Sequence, residues 1–224
     1  ISGIGSDTII GCWAFFNGAD NDILVIVATE EGKVIQFVDA TESTLGTAAP
    51  VQQGTLSLSV SGPMMCGVPI YFNDQTRCAS MLFGVSATPH GFVKHVFFGG
   101  TGVTPTNPNS LNLSTGYNYL YACCPGGDDG QSGPLAYALF GASAQPRGNA
   151  SQTGVVVRVS LDGSADPPTV AYVDAISVGA SASAVTGLGW NDAQSYAIAA
   201  TWGSPGGVAK VNALPGGTLE IQNS

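Results

Sequence analysis

The stretch Gly154-Val155-Val156-Val157-Arg158-Val159-Ser160 sets three valines in a row, then one arginine, then a fourth valine. β-branched side chains are stiff at χ1 and pack well on a pleated surface, so the segment reads as a strand. Upstream of it runs a second apolar segment, Leu135 to Phe140, separated by a turn rich in Gly, Ala, Ser and Asn. Two apolar runs joined by such a turn form a hairpin.

The hairpin recurs. It reads DILVIVATEEGKVIQF (22 to 37), ASMLFGVSATPHGFVKHVF (79 to 97), LAYALFGASAQPRGNASQTGVVVRVS (135 to 160) and SYAIAATWGSPGGVAKVN (195 to 212). Each copy has an apolar strand, a small-residue turn and a Gly before a β-branched strand. That last strand carries one long polar side chain: Gln36, Lys94, Arg158 or Lys210. Before each hairpin stands another apolar run ending in an Asn/Asp/Gly turn: IIGCWAFFNGADND, MMCGVPIYFNDQT, YLYACCPGGDDG and AVTGLGWNDAQ. After each comes a polar linker and a weaker strand, TLSLSV, SLNLS, TVAYVDAISV or TLEIQ. No helical periodicity of useful length occurs. The chain therefore reads as one all-β domain, 1–224, of four repeated four-stranded antiparallel meanders at roughly 1–54, 55–109, 110–168 and 169–224. Valine and isoleucine are expected between neighbouring sheets, and the long polar side chain at a sheet edge or rim.

A repeated four-stranded meander resembles a β-propeller blade, and four blades is the low end of that architecture. The Trp-Asp, kelch and hemopexin-type blade signatures are absent as full patterns. A β-sandwich or jelly roll also needs many short strands with Gly/Pro turns and is the competing architecture. The four-fold repetition favours the propeller.

Composition narrows the partners. Charged residues make up only 9% of the 224, six basic against fifteen acidic, for a net charge of −9. Without a basic patch to release counterions, nucleic acid is not an expected partner. No apolar run reaches the roughly 20 residues of a membrane span. The start at Ile1, the acceptor sequences at Asn112 and Asn149, and the five cysteines together lead us to expect an extracellular protein, with glycosylation at those asparagines.

Candidate sites are few. The turn after the first strand of each unit carries acid, and Asp20, Asp74, Asp128 and Asp192 are the candidate ligands for Ca²⁺; the competing reading is ordinary turn chemistry, since no Asp-x-Asp-x-Asp-Gly loop is present. No other cofactor is expected. His90 and His95 are five apart, hence on opposite faces of a strand, and are expected on a loop and the rim rather than on a shared metal. Cys12, Cys66, Cys78, Cys123 and Cys124 are disulfide candidates. Bridges could link first strands of adjacent units or close the Cys66–Cys78 hairpin; the alternative is buried free thiols. Trp202, in the turn ATWGSPGG, is the candidate for stacking on a ligand. No G-x-S-x-G occurs, and two histidines are too few for a convincing triad.

The function expected on these grounds is a non-catalytic extracellular structural protein that self-associates as a filament or surface-layer subunit, through strand-like segments at its two ends. A carbohydrate-binding, lectin-like module with glycan partners is the alternative. A propeller-type hydrolase drawing carboxylates from distant blades is the second alternative.

Overall fold

The computed structural model describes residues 4–17, 22–39, 51–70, 80–98, 104–114, 116–128, 135–146, 153–164, 168–181, 184–203, 206–214 and 216–222. They form four separate four-stranded antiparallel sheets, each a meander closed within one stretch of chain. The first holds β1 (Ile9–Asn17), β2 (Asp22–Thr29), β3 (Lys33–Asp39) and β4 (Val51–Ser57); the second β5 (Met64–Ile70), β6 (Ser80–Val85), β7 (Phe92–Phe97) and β8 (Thr106–Asn112). The third holds β9 (Tyr119–Asp128), β10 (Leu135–Ser143), β11 (Thr153–Asp162) and β12 (Thr169–Ser181); the fourth β13 (Ala184–Asn191), β14 (Tyr196–Trp202), β15 (Gly207–Asn212) and β16 (Glu220–Gln222). The sequence boundaries at 54 and 109 fall inside β4 and β8, and the one at 168 just before β12, because weak polar fourth strands look like linkers.

First strands lie against one another in series, β1 on β5, β5 on β9 and β9 on β13, which stacks the sheets face to face in a propeller-like arrangement. Three hydrophobic clusters fill the spaces between consecutive sheets. Leu24, Ile26 and Ala28 meet Met81, Phe83 and Val85 between the first and second. Leu82 and Val93 meet Phe140 and Val157 between the second and third, and Leu139 and Val156 meet Val185 and Ala197 between the third and fourth. A small fourth cluster, Ile4, Val27 and Ile35 with Phe37 against it, covers the outer face of the first sheet. Among the described residues no cluster joins the fourth sheet to the first.

The burial of equivalent strands follows from this order. β6 and β10 lie between neighbours, and every residue from Ser80 to Val85 and from Ala136 to Ser143 is buried, the unbroken apolar run of a strand covered on both faces. β14 occupies the same place in the fourth sheet, yet Ala197 and Ala199 are buried while Ile198, Ala200 and Trp202 are exposed. One face of that sheet meets solvent.

Candidate functional site

On the third strand of each of the first three sheets one polar residue faces the sheet that follows, and the fourth sheet carries its equivalent on the same, open face. Gln36 pairs with Ile26, His95 with Leu82, Arg158 with Leu139 and Lys210 with Ile198 across the ladder. Residues opposite one another on antiparallel strands share a face. Ile26, Leu82 and Leu139 lie in the three successive inter-sheet clusters. Gln36, His95 and Arg158 are therefore buried between sheets, not placed at an edge or rim. Lys94, aligned by sequence with Arg158, pairs with Phe83 and turns back toward the first sheet. Its neighbour His95 holds the position instead.

His95 is thus a core residue rather than a rim histidine. Its Nε2 lies 3.1 Å from the Ser80 hydroxyl, and burial lowers its pKa from 6.5 to about 4. His90 packs edge-on against Phe92.

Arg158 is the most elaborate member of the series. Its Nε and Nη2 donate to Asp174 at 2.9 and 2.8 Å, a bidentate pair, while Nη1 donates to the Leu214 carbonyl at 3.1 Å and Nη2 also to the Gly217 carbonyl. Asp174 accepts the Leu219 amide at 2.9 Å. The guanidinium lies over the Tyr137 ring, 5.4 Å from its centroid. This one side chain and its carboxylate tie β11 and β12 to the segment between β15 and β16, using the planar fork that only arginine offers.

Lys210 has no following sheet over it among the described residues. Its Nζ lies 4.0 Å from the centroid of the Tyr196 ring on its own face. Around it Ile198 is 39% exposed, Trp202 48% and Val208 73%. Glu220 opposes Asn212, which opposes Tyr196, so Glu220 shares this face. Trp202 ends β14 rather than standing in the turn after it.

A second feature is a cavity of about 460 Å³ where β5, β9 and β13 begin. All four units contribute to its lining: Glu30, then Met65 and Ser86, then Tyr119 and Tyr121, then Thr186. The two tyrosines are two apart on β9 and so share a face; their rings are 12° from parallel with centroids 6.4 Å apart. Ser86 is held by the backbone of Leu120, donating to its carbonyl and accepting from its amide at 3.0 Å.

Asp20 and Asp74 lie outside the described residues, as do Cys78 and Asn149. Asp128 ends β9 and Asp192 opens a 3-10 turn after β13, at the opposite ends of two strands whose starts line the cavity. Among the described residues no group of three or more His, Cys, Asp and Glu could hold a metal ion. Asn112 is the exposed last residue of β8. Cys12, Cys66, Cys123 and Cys124 are free thiols. Cys66 and Cys123 nevertheless meet between the second and third sheets; their hydrogen bond, with burial, pushes the Cys123 pKa well up. Cys124 faces the other way, into the third-to-fourth core, where burial raises it to about 12.

Sequence reasoning missed Asp174 and Glu30 and did not single out Tyr119 and Tyr121. The Tyr-x-Tyr spacing on a first strand was the available signal. Comparison of the chain with known protein families and with characterised proteins finds no match.

Proposed function

We propose that the chain is a non-catalytic structural subunit that self-associates by docking the outward face of its fourth sheet onto the same face of a second copy. One observation carries this reading: the face that holds the third-strand polar residue is buried by a neighbouring sheet three times and exposed the fourth time, with Ile198, Trp202 and Val208 uncovered. An exposed apolar sheet face whose equivalents elsewhere in the chain are buried supports the reading of an interface.

Charge argues for a second copy as the occupant. The strands of this face carry one cation, Lys210, and one anion, Glu220, whereas the whole chain carries −9. Two copies repel least where each is formally neutral, and a two-fold arrangement can set each lysine against the other copy's glutamate. Stacking onto the first sheet is disfavoured, because Ile4 and Phe37 already cover Val27 and Ile35 there. A two-fold contact closes on itself, so the expected product is a dimer. The terminal route is weaker support: β16 spans only Glu220–Gln222, and β1 belongs to a different sheet.

Sedimentation velocity on the intact chain tests this. The wild type is expected to dimerise at micromolar concentration, and Ile198→Asp with Val208→Asp to raise the dissociation constant by roughly 100-fold while leaving the circular dichroism unchanged. A wild type that stays monomeric at high micromolar concentration, or a variant that dimerises equally well, overturns the reading. An extracellular setting belongs to the same proposal. Under oxidising conditions the touching Cys66 and Cys123 thiols would close as a disulfide, read as two fewer alkylatable thiols in unreduced protein.

A further inference from the structure

We propose that the cavity at the starts of β5, β9 and β13 is a binding site for a small organic cation, an alkylammonium group on an apolar body. Its volume, about 460 Å³, lies within the roughly 300–1,000 Å³ typical of small-molecule sites. The lining fixes the sign of the ligand. Glu30 is the one charged residue among the described lining, and neither of the ion pairs Lys33 with Asp7 and Arg158 with Asp174 involves it. Among the described residues no lysine, arginine or histidine lines the space, so an anion finds no counter-charge among them.

The rest of the lining fixes the ligand's shape. Tyr119 and Tyr121 set two near-parallel rings side by side, whose negative faces attract a cation that is cheap to desolvate. Met65 adds a polarisable apolar surface, and the hydroxyls of Ser86, Thr186 and the two tyrosines are the other side-chain polar groups of the described lining. A hard metal ion wants six or more oxygen ligands with carboxylates foremost, which one carboxylate and a few neutral hydroxyls, that of Ser86 already bonded to the Leu120 backbone, do not supply. A neutral sugar could stack on the rings but would desolvate Glu30 without compensating its charge. An alkylammonium does both jobs, placing charge near the carboxylate and methyl or methylene groups on the rings. The excess negative charge of the chain draws such ligands in.

The experiment titrates the unmodified protein calorimetrically with choline and, in parallel, with 3,3-dimethylbutan-1-ol, its uncharged counterpart of matching shape. Choline is expected to bind roughly tenfold or more tighter, the preference to vanish in Glu30→Gln, and choline affinity to fall in Tyr121→Leu. Equal affinities would mean a merely apolar hollow and overturn the proposal. So would binding of N-acetylglucosamine without choline, which would assign the site to neutral glycans, or no binding of any of the three. The Ile198→Asp, Val208→Asp variant is expected to bind choline like the wild type, so this proposal and the dimer fail separately.

Discussion

The third and fourth sheets present the same kind of face to whatever follows them, and only one is covered. On the third, Leu139 and Arg158 are buried, and the arginine's fork is filled by Asp174 and by two carbonyls of the fourth sheet's last connection. On the fourth, Ile198 and Lys210 hold the equivalent register with a tyrosine ring as the ammonium's cover. The comparison separates what a polar residue does from where it stands. Desolvated and fully bonded, the cation is a structural bolt; half in water, it is a replaceable surface group.

The sharpest way to break the comparison is to remove both cations. Arg158→Ala leaves Asp174 and the carbonyls of Leu214 and Gly217 without their donors, and breaking a buried pair from one side costs about 3–5 kcal/mol. Lys210→Ala changes an exposed face and should stay within about 0.5 kcal/mol. Urea denaturation of the two variants measures both. The double substitution Arg158→Met with Asp174→Leu should recover most of the loss, because no charge is then left buried alone. If Arg158→Ala and Lys210→Ala cost the same, the third-to-fourth interface is not held in this way.

A second contrast lies between neighbouring interfaces. The second-to-third holds His95 where the third-to-fourth holds Arg158. The unfolded chain takes up the imidazole proton near pH 6.5 and the folded chain only near pH 4, so between these values the unfolded state binds more protons. His95 therefore contributes stability that is fully present above pH 6.5 and lost as pH falls through about 4, a swing of about 3 kcal/mol. His95→Gln, which places there the residue found at Gln36, should remove that part of the acid dependence of the urea midpoint. An unchanged pH profile would show that His95 is not the group responsible.

These two residues also show how far the sequence could be read. The repeated hairpin was legible because the four copies set apolar β-branched runs around short turns, and the four sheets fall where those runs do. The face of a single residue was not legible, because neighbours on a strand point oppositely and an alignment one position out exchanges them. That is why Lys94 stood in for His95. The burial of Gln36, His95 and Arg158 depends on a following sheet, a fact about stacking that no local pattern carries. The cavity was hidden for a similar reason: Glu30, Met65, Tyr121 and Thr186 come from four different units and converge only when the first strands line up. Asp174 sat in plain view in TVAYVDAISV, yet nothing in that strand names Arg158 as its partner.

The finest test of covered against uncovered uses two glycines. Gly141 on β10 faces β13, and a Cβ there would stand 2.6 Å from Val185 Cγ1 and 2.8 Å from the Val185 carbonyl oxygen. The oxygen belongs to the backbone and cannot swing away, so Gly141→Ala must push the third and fourth sheets apart, at about 1–3 kcal/mol. Gly189 on β13 lies opposite Ile198, on the outward face, and a Cβ there meets nothing within 4 Å. Its backbone needs no left-handed geometry, so Gly189→Ala should be neutral or stabilise the fold by up to about 1 kcal/mol, through the lost freedom of the unfolded chain. The two substitutions are chemically identical and should differ in sign. Measured at concentrations where the chain is monomeric, that sign reports only whether a sheet lies over the glycine. Repeated under dimerising conditions, Gly189→Ala gains a second meaning: if a second copy packs on this face, the added methyl should weaken dimerisation by a few fold while the monomer's urea midpoint does not fall. Destabilisation of the monomer by Gly189→Ala equal to that by Gly141→Ala would mean that the fourth sheet is covered from within its own chain, and the contrast between the two faces would be gone.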